Sequence, residues 1–412
     1  MIQFEEYTLA NGLRVILHQD KTTPMVVVNT LFDVGARDED SNKTGFAHLF
    51  EHLMFGGSVN IPDFDGPLQK AGGSSNAFTS NDITNYYDVL PAVNLETALW
   101  LESDRLLSLA FSDKSLEVQR NVVMEEFKQR YLNKPYGDDW LEFRPLAYEK
   151  HPYQWATIGK KLEHIEHATM EDVKAFFYKH YTPSNAVLCI AGNIELSQTK
   201  ALIQKWYGEI PAGEKYQRKL PVEPLQNEFK HKQIVRDVPQ SAFYVGFKMG
   251  GKNDHDYPLA DILSDVLGRG KSSRLYQRLK KEKELVTEIS AYILGAHDPG
   301  LLVIHGKLAD GVRQEQVNKE IESITAELKQ VQIDQLELKK TIEKFKTTKA
   351  FGELGILSKA MSLSLNALLG DTNGVNTELE KYAKITPKTL QEVAKDILRK
   401  ENCSLLEIKS SK

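Results

Sequence analysis

The sequence is most informative at first for what it lacks. It has no apolar run that approaches the roughly 18 residues needed to span a bilayer, so no membrane-spanning helix is expected. It has two cysteines, Cys189 and Cys403, which are too few and too far apart to indicate a disulfide framework. It has no basic excess, because 52 Lys and Arg stand against 57 Asp and Glu, a net charge of −5. Nucleic acid and anionic membranes are therefore not expected as partners.

The N-terminal residues 1–7 lack the basic and apolar regions of a signal peptide. A reducing cytoplasm is therefore the expected location, with the periplasm as the alternative if a leader had been removed. The length of 412 residues is too great for one ordinary core, so two or more domains are expected. Hydrophobic residues at 41% and charged residues at 26% are typical of a globular protein.

Residues 44–57, TGFAHLFEHLMFGG, carry the clearest chemical pattern. They predict a helix of about three turns, closed by a Gly-Gly pair. At about 100° per residue, His48, Glu51 and His52 share one face of this helix. The opposite face is apolar: Phe46, Phe50, Leu53 and Met54.

Two histidines four residues apart can direct ring nitrogens at one point about 2 Å from each, which is the distance that zinc requires. Glu51 lies beside that point, where it could take a proton from water and return it to a leaving amine. The alternative is a surface helix with two unrelated histidines. Because a candidate third ligand follows, the sequence predicts one Zn²⁺ per chain, with His48 and His52 as ligands and Glu51 as the catalytic base.

The third ligand is sought on a predicted helix over residues 113–132. Four residues of that helix share a face: Gln119, Val122, Val123 and Glu126. A carboxylate on a stripe expected to be buried costs free energy unless it has a partner, and zinc would be such a partner. Periodicity does not exclude Glu125, and most helical glutamates are simply solvated. The residue pattern alone therefore leaves the third ligand open. His164 and His167, farther along, are expected to be solvated.

Residues 76–90 predict a strand whose first part is polar and preceded by glycines. This suits the edge of a sheet, where free N–H and C=O groups could pair with an extended peptide. An ordinary exposed edge fits the same pattern equally well. The candidate substrate-binding residues are Asn76, Ala77, Phe78 and Thr79.

The chain contains an internal repeat. Residues 46–57 align with residues 259–270, with apolar positions matched and the closing glycine repeated. The second copy replaces the chemical residues of the first, because His48, Glu51 and His52 become Asp261, Ser264 and Asp265. We therefore expect a zinc-binding domain over 1–210, a proline-containing linker over 211–230, and a homologous domain without the zinc motif over 231–412.

Further motifs accompany the H-x-x-E-H pattern: 76–79 with Thr84 and Tyr86, 120–126, 151–153 with Gly159, 181–186, and 272–279. On these motifs the chain closely resembles the pitrilysin and mitochondrial-processing-peptidase family of zinc peptidases, the inverzincins, in its short two-domain bacterial form. The resemblance covers nearly the whole chain. It implies an α+β fold of two homologous domains, each a mostly antiparallel sheet with helices packed on one side.

The resemblance also assigns roles. It places the third zinc ligand on Glu126 rather than Glu125. The family often has a second glutamate seven residues before that ligand; here the position is Gln119, an amide that would orient the metal site less firmly. Glu125 remains a neighbour of the ligand. Residues 76–79 correspond to the edge strand on which family substrates lie as an added strand.

One departure concerns the rest of the active site. Family active sites usually receive an Arg and a Tyr, seven residues apart, from a later domain. Lys280 and Thr287 stand at these positions, and neither has the bidentate fork of Arg or the phenol of Tyr. The resemblance therefore suggests an endopeptidase that cleaves oligopeptides or unfolded segments inside a closed chamber. This chain would be the zinc-bearing subunit of a heterodimer, and a sister subunit would supply Arg and Tyr. A homodimer, a non-catalytic scaffold subunit and a protease for targeting peptides are the alternatives.

Overall fold

The computed structural model describes residues 1–411 and divides into two compact units that interleave along the chain. The first unit comprises Met1–Lys128, Trp155–Leu220 and Ala350–Thr377. The second comprises Gln129–Gln154, Pro221–Lys349 and the segment from Glu378 onward. The sequence predicts consecutive domains, whereas the compact units place residues 129–154 in the second unit and residues 350–377 in the first. The expected linker, residues 211–230, holds no helix, and its only strand residue is its last.

The described residues form eleven strands and fourteen α-helices. The strands are β1 (Glu5–Thr8), β2 (Arg14–Gln19), β3 (Met25–Phe32), β4 (Ser74–Thr79), β5 (Thr84–Pro91), β6 (Ala186–Gly192), β7 (Lys230–Arg236), β8 (Ala242–Lys248), β9 (Val286–Leu294), β10 (Leu301–Leu308) and β11 (Cys403–Ser410). The helices are α1 (Phe46–Leu53), α2 (Asp65–Lys70), α3 (Leu95–Leu107), α4 (Asp113–Phe127), α5 (Asp139–Ala147), α6 (Leu162–Glu166), α7 (Met170–His180), α8 (Leu196–Tyr207), α9 (Tyr257–Gly268), α10 (Gln314–Gln330), α11 (Gln335–Gly352), α12 (Ile356–Leu368), α13 (Gly374–Ala383) and α14 (Pro387–Ile397).

The two sheets share one topology. The first unit has the strand order β1-β2-β6-β3-β5-β4, and the second has β7-β11-β8-β10-β9. In each sheet one pair is parallel, β2 with β6 and β7 with β11, and the other pairs are antiparallel. Five neighbouring strands of the first sheet, β2-β6-β3-β5-β4, therefore correspond in order to the five strands of the second sheet. Strand β1 is an additional edge strand of the first sheet. The predicted repeat of two mostly antiparallel sheets is confirmed.

Most helices lie on one face of each sheet, as predicted, and each sheet also carries one helix on its other face. In the first unit, Thr30 of β3 donates to Glu102 of α3, while the neighbouring Asn29 donates to Ser364 of α12. Because side chains alternate along a strand, α3 and α12 lie on opposite faces. In the second unit α5 packs on the face of Tyr244, opposite the face that α9, α10 and α14 cover.

The predicted strand over residues 76–90 is wrong in one respect, because it is broken into the hairpin of β4 and β5. The Ser80 hydroxyl accepts hydrogen bonds from the N–H groups of Asp82 and Ile83, each at 3.1 Å. Such a serine-closed turn reverses the chain and competes with a continuous strand. The prediction that this segment forms a sheet edge holds, since β4 is the last strand of its sheet.

The helix predicted over residues 44–57 is shorter than expected and covers only Phe46–Leu53. Gly45 precedes it with a φ of +91°, and Gly57 has a φ of +86°, both values that favour glycine. The chain therefore turns at both ends of α1 rather than extending the helix to three turns. Among the described residues, no helix combines the length and apolar character needed to cross a membrane.

Candidate metal centre

Helix α1 is held in place by its apolar face. Phe46, Phe50, Leu53 and Met54 are all buried, as the helical spacing predicts. The Phe50 ring stacks on Phe176 at 5.3 Å and on Tyr181 at 5.1 Å, measured between ring centroids. The aromatic contacts fix the rotation of the helix, and the polar face with the histidines is turned away from this core.

The beginning of α1 is tied down by Glu39, a residue that sequence analysis missed. Its two carboxylate oxygens accept hydrogen bonds from the N–H groups of Gly45 and Ala47, each at 2.9 Å. These are N–H groups that a helix leaves unpaired, and a carboxylate suits the positive end of the helix dipole. Burial raises the pKa of Glu39 to about 8, although the two N–H donors favour the ionised form. Glu39 lies six residues before the helix cap, a spacing that belongs to no local capping motif. Its role at the start of α1 was therefore not predictable from the sequence.

His164 also supports this end of α1, contrary to the expectation that it is solvated. Its Nδ1 lies 2.8 Å from the Thr44 hydroxyl, and the Thr44 N–H donates to it at 3.2 Å. Burial, together with the charges of Lys161 and Lys160, lowers the pKa of His164. His167 is exposed, as predicted.

The predicted ligand residues come together. Ligand atoms of His48, His52 and Glu126 all lie within 4.8 Å of one another, the only such group of metal-binding side chains in the described chain. Glu126 Oε2 is 3.7 Å from His48 Nε2 and 3.4 Å from His52 Nε2. The two imidazole planes cross at 84° with centroids 4.9 Å apart. Two residues of α1 and one of α4 thus converge on one point, and Glu126 rather than Glu125 completes the set.

The distances from Glu126 to the two histidines are close to those that a shared zinc ion requires. Distances of 3.4 and 3.7 Å are longer than an ordinary N–H···O hydrogen bond. Two ligand atoms bonded to one tetrahedral zinc ion, at 2.0–2.1 Å each, lie about 3.3 Å apart. Two imidazole nitrogens and a carboxylate oxygen are also donors that zinc prefers, and three protein ligands leave a fourth position open.

The neighbours of Glu126 on α4 differ from one another. Glu125 is exposed, and its carboxylate accepts from Lys128 Nζ at 2.6 Å. Gln119 is half-buried two turns before Glu126 on the same helix. Val122 was expected on a buried stripe, but it is 45% exposed.

Helix α4 begins at Asp113, and the Ser112 hydroxyl caps it by accepting a hydrogen bond from the Ser115 N–H.

Glu51 faces the edge strand. The Thr79 hydroxyl donates a 2.6 Å hydrogen bond to Glu51 Oε2. Along β4 exposure alternates, so that Asn76 and Phe78 are exposed while Ala77 and Thr79 are half-buried. The Ala77 N–H is occupied by the Asn76 side-chain oxygen at 2.8 Å. The strand predicted to receive substrate therefore lies directly beside the predicted base.

The homologous helix of the second unit has no comparable chemistry. Asp261 accepts a 2.8 Å hydrogen bond from the Tyr382 hydroxyl, and Asp265 pairs with Arg269 at 3.3 Å. Burial raises the pKa of both aspartates. Ser264 donates to the backbone carbonyl of Asp261. These groups satisfy one another locally, in keeping with the loss of the zinc motif in the second copy.

Lys280 and Thr287, which stand where the family has Arg and Tyr, are engaged with one another. Lys280 Nζ donates to the backbone carbonyl of Thr287. The Thr287 hydroxyl donates to the Gln240 side chain at 3.1 Å. Lys280 also lies 5.7 Å from the centre of the Tyr276 ring. These two positions therefore hold a local structural contact.

Comparisons with known proteins agree with this geometry. Residues 14–136 match the family described as "Insulinase (Peptidase family M16)", and residues 167–345 match the "Peptidase M16 inactive domain". The first match contains α1, α4 and the histidine–glutamate cluster. The second contains the repeat without the zinc motif.

Curated relatives and solved structures point to the same family. Zinc protease PqqE of Helicobacter pylori is 31% identical over 82% of this chain and 77% of its own. The uncharacterized zinc protease YmxG of Bacillus subtilis is 29% identical over 83% of this chain and 82% of its own. A solved protease from Helicobacter pylori matches 99% of this chain and 100% of its own with a TM-score of 0.92 and 28% identity. Pitrilysin shares the fold, with a TM-score of 0.79 at 20% identity, and this chain covers 45% of it. The chain belongs to peptidase family M16, whose named relatives are zinc proteases.

Proposed function

We propose that this chain is a zinc-dependent endopeptidase that cleaves oligopeptides or unfolded segments. The observation that carries the proposal is the convergence of His48, His52 and Glu126 ligand atoms within 4.8 Å, with Glu51 on the same helix face as the histidines. One Zn²⁺ per chain would be held by these three side chains. When bound, zinc polarises a peptide carbonyl and makes a neighbouring water more acidic.

The chain's own residues supply the proton transfers. Glu51 accepts a proton from the attacking water and later delivers it to the leaving amine nitrogen, as a general base and then a general acid. The hydrogen bond from Thr79 to Oε2 orients the Glu51 carboxylate for this proton transfer. Glu125, exposed and paired with Lys128, takes no part.

Substrate recognition would rest on main-chain pairing with β4. An extended peptide would add itself to this sheet edge, with Asn76, Ala77, Phe78 and Thr79 forming the contact. The Asn76 side chain would first have to leave the Ala77 N–H that it occupies. Main-chain pairing does not depend on side-chain identity, so the sequence preference would be loose.

The first experiment combines zinc content with peptide cleavage. Metal analysis of purified protein should give about one zinc per chain, and a quenched fluorescent peptide library should report cleavage. Glu51→Gln should retain zinc while cleavage falls at least about 100-fold, because only the proton transfer is lost. Absence of zinc even after reconstitution would overturn the proposal and favour a non-catalytic scaffold subunit.

We further propose that the active assembly is a heterodimer whose homologous partner supplies an Arg and a Tyr. The supporting observation is that Lys280 and Thr287 occupy those positions here and bond to each other. A sizing column and activity assay, with and without a sister M16 chain from the same source, tests this. Full specific activity from the pure homodimer would contradict it. A cytoplasmic location remains a prediction and is consistent with two free cysteines.

A further inference from the structure

The second unit contains an open groove of about 580 Å³ between α10 and the face formed by β7, β11 and β8. We call it the α10 groove. Its floor is apolar and includes Phe229, Val245, Phe247, Ile321, Leu398 and Leu405. Its rim is polar and carries three carboxylates, from Glu315, Glu322 and Glu407. Lys329 and Lys400 lie at the same rim.

The internal repeat shows what occupies the equivalent place in the first unit. There α3 follows β5 as α10 follows β10, and α8 packs beside α3. Helices α3 and α10 both bury their first, fourth, eighth, eleventh and twelfth residues, which fixes their alignment. The residues that line the α10 groove belong to α10, β7, β8, β11 and their flanking turns, and none of them lies in another helix. The α10 groove is therefore the counterpart of the surface that α8 covers.

Burial along the two helices agrees with this reading. The fifth and ninth residues of α3, Leu99 and Ser103, are buried at 0% and 3% exposure. Their counterparts on α10 are Asn318, which is half-buried, and Glu322, which is exposed. Both counterparts line the groove. The same helix face is thus covered in one repeat and open in the other.

The carboxylate that contacts α8 has a counterpart in the second unit. Glu96, the second residue of α3, accepts hydrogen bonds from two residues of α8, Lys205 Nζ at 2.7 Å and Trp206 Nε1 at 3.2 Å. Glu315 is the second residue of α10 and lies at the rim of the groove, exposed. The groove therefore offers an apolar floor and a carboxylate in the relative positions that an α8-like helix uses.

We propose that the α10 groove binds an amphipathic helix of a partner protein. The fitting helix carries an aliphatic and aromatic stripe like that of Ile203 and Tyr207, with a lysine or arginine beside an aromatic residue near its C-terminal end. This is recognition of a helix in a groove, with the apolar stripe providing contact area and Glu315 selecting a basic partner. It is independent of the peptidase proposal, since it uses no residue of the metal centre.

The probe is a synthetic peptide of residues 194–209 of this same chain, labelled with a fluorophore. Such a short segment is only marginally helical in water, so a hydrocarbon staple joins positions 197 and 201, which are exposed in α8. Fluorescence anisotropy against the full-length protein should give saturable binding with a Kd of roughly 1–100 µM. Mass spectrometry after each titration checks that the peptide is intact.

A charge exchange then locates the binding. Glu315→Lys should weaken binding by about tenfold, and so should Lys205→Glu in the peptide. The Lys205→Glu peptide should regain affinity for the Glu315→Lys protein. Binding at any other surface would not produce this recovery. Glu392→Lys, an exposed position on α14, is the matched control and should leave the affinity unchanged.

The outcomes that would overturn the proposal are distinct. No saturable binding of the stapled peptide rejects the helix-binding site, and so does binding that Glu315→Lys leaves unaltered. Binding of a small amphiphilic dye such as ANS, without binding of the peptide, would assign the groove to small amphiphilic molecules instead. None of these results bears on zinc content or peptide cleavage, so they leave the peptidase proposal to its own test.

Discussion

The Thr79 hydroxyl donates a 2.6 Å hydrogen bond to Glu51 Oε2, joining the edge strand β4 to helix α1, which carries His48 and His52. One end of this bond is the proposed catalytic base, and the other is part of the strand on which substrate is proposed to lie. This hydrogen bond therefore links the proposed peptide-binding strand directly to the proposed proton-transfer group. In the proposed mechanism Thr79 acts through Glu51, as a positioning residue.

Thr79→Val should lower kcat about tenfold or more while KM and zinc content change little. The variant keeps the shape of the side chain and removes only a hydrogen bond to a charged group, which is worth about 1.5–3 kcal/mol. Steady-state kinetics with a fluorescent peptide measures the effect. Thr79→Ser keeps the hydroxyl and should recover most of the activity; if both variants lose activity equally, the hydroxyl is not what orients Glu51.

The grouping of His48, Glu51 and His52 was predictable from sequence because its geometry is local. His48, Glu51 and His52 share a face for the simple reason that α1 is a helix, and no tertiary information is needed. Glu126 was different, since periodicity left Glu125 open, the family resemblance favoured Glu126, and the structure places Glu126 beside the two histidines. Thr79 was named for its strand and not for its bond to Glu51, which depends on how β4 packs beside α1.

Glu126→Gln should lower zinc affinity more than about 100-fold, beyond what loss of an outer partner usually costs. The amide removes the negative charge and the strongest oxygen donor of the cluster while preserving side-chain volume. Competition with a fluorescent zinc chelator measures the change. Glu125→Gln is the matched control one residue away and should bind zinc as the wild type does, because Glu125 pairs with Lys128. Equal losses in both variants would contradict the assignment.

His180 should make the first unit less stable as the pH falls. It is fully buried between the rings of Phe176 and Tyr216, and burial, with the charges of Lys179 and Arg218, lowers its pKa to about 3. In the unfolded chain its pKa is about 6.5. The unfolded state therefore binds a proton that the folded state does not, across the window from pH 6.5 to 3. Stability is fully present above pH 6.5 and decreases by up to about 1.4 kcal/mol per pH unit below it.

The measurement is urea denaturation at a series of pH values. His180→Phe removes the titrating group and should flatten the dependence in that window, whatever it does to stability at neutral pH. His167→Gln, at an exposed histidine, should leave the slope unchanged. A wild-type slope that His180→Phe does not alter would mean that other groups cause the loss of stability.

Elements that depend on distant parts of the chain were beyond sequence reasoning. Helix α12 comes from the second half of the sequence but packs on the first sheet, where Ser364 bonds Asn29. Helix α5 comes from the first half but packs on the second sheet. Both helices have ordinary amphipathic patterns that say nothing about which sheet receives them. The predicted domain boundaries followed sequence order and had no means of finding this exchange.

Arg105 is a buried cation whose contacts extend to helix α1. Its guanidinium lies 4.5 Å from the Tyr86 ring and 4.7 Å from the Phe64 ring, and it pairs with the buried Glu102. The Tyr86 hydroxyl in turn donates to the Phe50 carbonyl of α1 at 3.4 Å. Both side chains of the Arg105–Glu102 pair are 2% exposed, so this pair is buried as a unit.

Arg105→Leu should therefore destabilise the first unit by about 3–5 kcal/mol, because it leaves the Glu102 charge buried without its partner. Chemical denaturation measures the change. The double variant Arg105→Leu with Glu102→Leu removes both charges and should recover much of the loss, since replacing a buried pair by apolar side chains is often near neutral. If the loss of stability in the double variant equals the sum of the losses in the two single variants, the two charges are not coupled.

Zinc affinity should fall in Arg105→Leu and recover in the double variant. The reason is that Arg105 packs against the Tyr86 ring, and the Tyr86 hydroxyl contacts the Phe50 carbonyl of α1.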